Sequence, residues 1–270
     1  MEPFNRYVFE RSNVRAVARM GVGYDAIDVL AATDHNVAVT ITPGTNETSV
    51  AEHALGLMFG VMRGIAHRDR IVRRGEWKRE KLPRIEGKTL GLVGLGRIGK
   101  TVVSKAQGLG MKVIAYDPVP DQKFARENNV GLVDLDTLLK SADVVSLHSP
   151  CNDETKDMIN AQSLAKMKAG SVLVNTARGG LVDEQALSEA LRSGHLLGAA
   201  LDVFKQEPPE PDNPLLSLEN VVLCTHMGGL DEKSELAMSH LAGKCLADLH
   251  QGIWPEHCVV NRSLGSDWQW

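Results

Sequence analysis

Apolar positions along the chain follow two alternating periods. Short apolar runs at Thr89–Val93, Val113–Tyr116, Val144–Leu147, Ser171–Asn175, Leu196–Val203 and Val221–Cys224 read as strands. Between them the spacing changes to that of helices. Ile98, Val102, Val103, Ala106 and Leu109 line one face of the first, and Leu135–Ser141, Ala161–Met167 and Asp183–Arg192 follow the same pattern. Glu232–His250 is a long helix with Ala237, Leu241, Cys245 and Leu249 on one side. Strands and helices that alternate at these lengths predict a doubly wound parallel sheet.

The first part of the chain carries weaker signals. Val14–Ala18 and Val37–Ile41 read as strands, Ile27–Thr33 as a short helix, and Gly21 with Gly23 as a turn presenting backbone N–H groups. Ser49 and Glu52 fit an S-x-x-E capping box. The helix it opens carries Val50, Ala54, Leu57, Met58, Val61, Met62 and Ile65, and is expected to run to about Arg73. So broad an apolar stripe predicts packing on two sides, either at a subunit interface or within one chain.

The first candidate chemistry lies at the end of the Thr89–Val93 run, which leads straight into GLGRIG. Gly94 permits a tight turn, Gly96 lets backbone approach a pyrophosphate, and Gly99 lets the helix pack closely on the sheet. Free N–H groups at the helix start, with the positive end of its dipole, would hold the phosphates. Asp117 follows Gly99 by 18 residues (117 − 99), where the ribose-binding acid is expected. A carboxylate there accepts from ribose hydroxyls and repels a 2′-phosphate, so NAD is expected in preference to NADP. A glycine turn alone is a weak signal, but strand, helix and acid in register make a mere turn a poor alternative.

Further polar motifs each follow a strand. His148–Pro150, Thr176–Gly180, Asp202–Glu207 and His226–Gly229 would line the same sheet edge, where ligands bind in open α/β folds. Arg178, Glu207 and His226 stand out among them. Beside a nicotinamide, hydride and proton must move together, and histidine suits the proton because it titrates near neutrality. A neighbouring carboxylate favours the imidazolium, and an arginine binds a planar carboxylate on two prongs. The set fits a 2-hydroxy acid/2-oxo acid couple. Taken singly, Arg178 could pair with an acid, Glu207 could be solvated beside Pro208, and His226 could be an ordinary loop histidine. Three such residues at successive strand ends are harder to dismiss.

Composition narrows the class. The chain has 270 residues with 43% hydrophobic and 24% charged positions, which fits an ordinary globular protein of one large or two medium domains. A net charge of −4 argues against nucleic acid as a partner. Cys151, Cys224, Cys245 and Cys258 have no metal-like spacing, so no metal is expected and the thiols read as those of a cytoplasmic protein. No signal core and no membrane-length apolar run is present, so no membrane partner is expected.

Together the motifs MGVGYDAID, TPGTNETSVAEH, GLGRIG, NTARGGLVDE, GAALDVFKQEPP and THMGG resemble the D-isomer-specific 2-hydroxyacid dehydrogenases, from about Val14 to Asn261. The resemblance implies a Rossmann NAD-binding domain at 48–233 and a smaller, flavodoxin-like substrate domain at 1–47 and 234–270. It implies Arg178 as the substrate-binding arginine, Glu207 as the acid paired with histidine and His226 as the proton donor. Further NAD contacts are expected from Arg97, Ile98, Ser149, Thr176, Ala177, Arg178 and Asp202, and from His226, Gly228 and Gly229. Val22 is expected near both nicotinamide and substrate, with Met20, Gly21 and Gly23 beside it at the substrate. Glyoxylate, hydroxypyruvate or 3-phosphohydroxypyruvate would be the small-molecule substrate, and a homodimer joined largely through helices like Ser49–Arg73 is implied. Family members carry a longer segment before the MGVGYD motif than the nineteen residues here, so the first part of the substrate domain is expected to be missing. An NAD-sensing, corepressor-like binding protein and an inactive NAD-binding fragment are the competing expectations.

Overall fold

The computed structural model describes residues 3–265 and 267–270. In chain order the first elements are α1 (Arg6–Arg11), β1 (Ala16–Ala18), α2 (Val29–Asp34), β2 (Ala38–Thr40), α3 (Glu47–Met62) and α4 (Ile65–Arg73). They are followed by β3 (Thr89–Val93), α5 (Arg97–Gly108), β4 (Lys112–Tyr116), α6 (Gln122–Glu127) and β5 (Gly131–Leu132). Then come α7 (Leu135–Ser141), β6 (Val144–Leu147), α8 (Ala161–Lys166), β7 (Val172–Asn175), α9 (Glu184–Arg192), β8 (Gly198–Leu201), β9 (Val221–Leu223) and α10 (Glu232–His250).

The chain divides into two compact units. One comprises Met1–Ser49 with Gly229–Trp270, the other Val50–Gly228. In the larger unit seven strands pair in the order β5-β4-β3-β6-β7-β8-β9, every pair parallel. The order reverses direction between β3 and β6, the position where ligands bind in such sheets. β6, β7 and β8 are buried at every residue, which explains why their sequences are continuous apolar runs rather than alternating ones. One apolar layer joins α3 and α5 to this sheet through Met58, Leu92, Val102 and Val103. The other joins α7, α8 and α9 through Leu138, Leu164 and Leu187, each almost fully buried. Fully burying one such leucine contributes about 1.5–3 kcal/mol.

The smaller unit holds a two-stranded parallel sheet, β1 with β2, over a cluster that includes Phe9, Ala31, Ala32 and Val39. Asn261 ties its end to β2, with Val39 N donating to Asn261 Oδ1 at 2.9 Å and Asn261 Nδ2 to Val37 O at 2.9 Å. No helix of the described residues is long and apolar enough to cross a membrane.

Local features differ from the sequence reading at three places. α3 begins at Glu47 rather than after a Ser49–Glu52 box, and Glu52 reaches away from the helix start to Lys105 at 2.8 Å. The helix expected to reach Arg73 breaks at Gly64, which takes a left-handed conformation and starts α4. α1, α6 and the two-residue β5 lack a long apolar period and stand out only once packed.

Candidate functional site

The glycine loop connects β3 to α5. Gly94 sits at φ 101°, and a Cβ there would lie 2.8 Å from the His148 carbonyl, so the loop also rests on the chain leaving β6. A Cβ on Gly99 would meet the Gly94 carbonyl oxygen at 2.3 Å. Gly96 caps α5 with no side-chain bond to the helix and has open space on its Cβ side. Its exposed neighbour Arg97 and half-buried Ile98 begin the twelve-residue helix. Asp117, at the end of β4, accepts from Leu95 N at 2.8 Å and Val119 N at 2.9 Å, which fixes its carboxylate against the glycine loop.

The next two strand ends add buried polar groups. Ser149 Oγ donates to Val93 O at 3.1 Å. His148 Nδ1 is shut off from solvent without a partner, while its Nε2 lies 2.9 Å from Ser146 Oγ, and burial pushes the ring down to a pKa of about 4. After β7, Asn175 is the clasp of the TARGG loop. Its Oδ1 accepts from Ala177 N at 3.0 Å and its Nδ2 donates to Arg178 O at 2.8 Å. Thr176 Oγ1 is buried with no hydrogen-bond partner. Arg178 is extended at φ −146°, with Nη1 donating to Ala177 O at 2.6 Å. A Cβ on Gly179 would lie 1.9 Å from the Phe204 carbonyl carbon, so this loop is pressed against the one leaving β8.

The loops after β8 and β9 form the most constrained part. His226 Nδ1 lies 2.6 Å from Glu207 Oε2, while Glu207 Oε1 accepts from Phe204 N at 3.1 Å. His226 holds φ 56°, a conformation uncommon for a residue with a side chain and often found where a site has been built. Asp202, 1% exposed, holds that turn together: its backbone oxygen accepts from His226 N at 2.7 Å, Oδ1 from Met227 N at 2.9 Å and Oδ2 from Gly228 N at 2.8 Å. His53 of α3 places Nε2 3.2 Å from Asp202 Oδ1. Burial alone would raise the Asp202 carboxyl, but His53 and the two N–H groups outweigh it and hold it below the ordinary range. In return Asp202, and secondarily Cys224, push the His53 imidazole up to about 9.

The other residues expected at the site lie in the smaller unit. Gly21 N donates to Thr42 Oγ1 at 2.7 Å, and Gly21 O accepts from Thr42 N at 3.0 Å, which shapes the Met20–Gly23 turn. Met20 is exposed and Val22 half-buried, and Gly229 O accepts from Ser234 Oγ at 2.9 Å. The sequence reading did not single out Asn175 or His53. Asn175 could have been found, since it ends a buried strand directly before the TARGG loop. His53 gives no such signal, because its partner is 149 residues away (202 − 53).

Residues 55–228 match the family described as "D-isomer specific 2-hydroxyacid dehydrogenase, NAD binding domain". The chain belongs to this family. It is 44% identical over 251 residues to the D-3-phosphoglycerate dehydrogenase of Archaeoglobus fulgidus, covering 92% of this chain and 47% of that protein. It is 41% identical over 265 residues to the glyoxylate reductase of Korarchaeum cryptofilum, covering 96% and 80%. The chain thus spans about half the length of the phosphoglycerate dehydrogenase and four fifths of the glyoxylate reductase. A glyoxylate reductase structure from Paecilomyes thermophila is 34% identical with a TM-score of 0.87, covering 97% of this chain and 80% of that one.

The family's cofactor can be tested against these residues. The open Cβ side of Gly96, the uncapped start of α5 and the unpartnered Thr176 Oγ1 all suit a ligand rich in phosphate and hydroxyl groups. Asp117 suits the ribose of NAD rather than the 2′-phosphate of NADP. The residues of this chain fit NAD.

Proposed function

We propose that the chain is an NAD-dependent oxidoreductase interconverting D-2-hydroxy acids and 2-oxo acids, with glyoxylate, hydroxypyruvate or 3-phosphohydroxypyruvate as substrate. The observation that carries this reading is the 2.6 Å His226–Glu207 pair on a turn clamped by Asp202. Bound NAD supplies or accepts the hydride. With Nδ1 turned to Glu207, His226 Nε2 is the atom that gives a proton to the carbonyl oxygen on reduction and takes it back on oxidation. Glu207 keeps the ring oriented through that bond. The Arg178 guanidinium binds the substrate carboxylate, held by Asn175 through its own backbone oxygen. Backbone N–H groups at the start of α5, from Gly96 to Gly99, hold the pyrophosphate, while Asp117 reads the ribose. Ser149, Thr176, Ala177 and Asp202, with Gly228 and Gly229, complete the cofactor's surroundings. The Met20–Gly23 turn contacts the substrate, and Met1–Ser49 with Gly229–Trp270 serve as the substrate domain. The protein works in the cytoplasm as a homodimer joined through α3 and α4.

Purified protein assayed for NADH oxidation against glyoxylate, hydroxypyruvate, 3-phosphohydroxypyruvate and pyruvate tests the proposal. Turnover with at least one is expected, and it should fall by about 10²–10⁴ in His226→Ala with NADH binding retained. NADH binding without turnover on any of them would instead favour a nucleotide sensor.

A further inference from the structure

Asp202 is an expensive residue to place where it is. Its side chain is 2% exposed, and a buried carboxylate is tolerated only when hydrogen-bonded and balanced by charge. The hydrogen bonds come from Met227 N and Gly228 N, and the ion-pair partner is His53. The His53 Nε2 lies 3.2 Å from Asp202 Oδ1, within ion-pair distance. The packing leaves no slack. A Cβ on Gly228 would lie 2.9 Å from Asp202 Oδ2 and 3.1 Å from His53 Cδ2. Helix α3, the carboxylate and the turn that bears His226 are therefore one assembly.

We propose that His53 is a positioning residue for His226: its imidazolium balances Asp202, which in turn grips the backbone of residues 226–228 and holds His226 in its left-handed conformation. This rests on the proposed function for its catalytic consequence, but not for its structural one. The preference of His53 for the protonated form agrees, since Asp202 and then Cys224 both favour it. Without the charge, the Asp202 carboxylate would draw in water or a proton, and its hold on the two amides would loosen. His226 would then be held in its left-handed conformation by little more than the Glu207 pair, and the turn would loosen.

The test compares wild type with His53→Ala, and with His53→Gln as a second variant that fills the same space without charge. Amide hydrogen exchange by NMR reads the structural arm. Exchange at Met227 and Gly228 should speed up by about tenfold or more, with the His226 ring resonances shifted, while the amides of β6 and β7 keep their protection. Steady-state kinetics read the catalytic arm. A displacement of His226 should lower kcat by about 10–100-fold, with KM for NADH little changed. Unchanged exchange at 227 and 228 in a folded variant overturns the proposal, as does faster exchange with kcat unaltered. If wild type turns over no 2-oxo acid, the proposed function fails while the exchange arm still decides whether His53 holds the turn.

Discussion

Gly179→Ala tests whether the loop bearing Arg178 and the loop bearing Glu207 are held together by backbone contact. An added Cβ would sit 1.9 Å from Phe204 C, 2.0 Å from Phe204 O and 2.4 Å from Lys205 N. Ordinary contact begins near 3.4 Å, so the loops must separate by up to 1.5 Å (3.4 − 1.9). The obstacle is main chain and cannot rotate away as a side-chain tip would. Overpacking of this kind costs about 1–3 kcal/mol and can exceed that where the backbone must move. Moving Arg178 by about 1 Å relative to Glu207 should lower kcat/KM by about 10²-fold. Urea unfolding and steady-state kinetics on the same preparation measure both effects. Gly243→Ala is the control, since it lies within α10 with no atom near an added Cβ and should stabilise by about 0.5–1 kcal/mol. A Gly179→Ala protein with wild-type stability and wild-type kcat/KM would refute the reasoning.

Three further outcomes are expected. Asp117→Ala should narrow the preference for NAD over NADP, measured as the ratio of kcat/KM for the two reduced cofactors; an unchanged ratio means another group reads the ribose. Arg178→Lys should mainly raise KM for the 2-oxo acid, because a point charge replaces the two-pronged fork; a wild-type KM removes Arg178 from the carboxylate. The third concerns pH. His53 is raised from 6.5 to about 9, so its contribution to folding is complete below pH 6.5 and disappears as pH rises towards 9. Asp202 is lowered, so its contribution holds above its ordinary value of 3.8 and is lost as pH falls through the depressed folded-state value. Between pH 6.5 and 9 urea unfolding should register a loss of about 1–2 kcal/mol, a full conversion at about 1.4 kcal/mol per pH unit being reduced for the ring's partial exposure. His53→Ala should flatten that slope, and a slope that persists assigns it to another group.

Much of the larger unit was legible because its signals are local. Thr89–Val93 and the glycine loop declare themselves within one short stretch, and the buried runs of β6 and β7 mark strands that solvent never reaches. Arg178, Glu207 and His226 each follow a strand that the sequence predicts, and the 2.6 Å pairing of Glu207 with His226 is what the structure adds. What escaped depends on distant pairing. β5 is two residues long and exists through its ladder to β4, and nothing in its own sequence requires it. Glu52 reads as half of a capping box until Lys105, 53 residues on, is seen to hold it. The clasp of Asp202 on the His226 turn and the His53 charge behind it leave no periodic trace, because they join α3, β8 and the chain after β9.

The central claim is hydride transfer to a 2-oxo acid to give the D-hydroxy acid. The most direct measurement incubates the protein with NADH deuterated at C4 of the nicotinamide and the best 2-oxo acid, then resolves the product by chiral chromatography and mass spectrometry. The expected product is the D-isomer of a chiral hydroxy acid, such as glycerate from hydroxypyruvate, carrying one deuterium at C2 when the transferred position is the labelled one. An L-product, or product without deuterium from either labelled face, would contradict it.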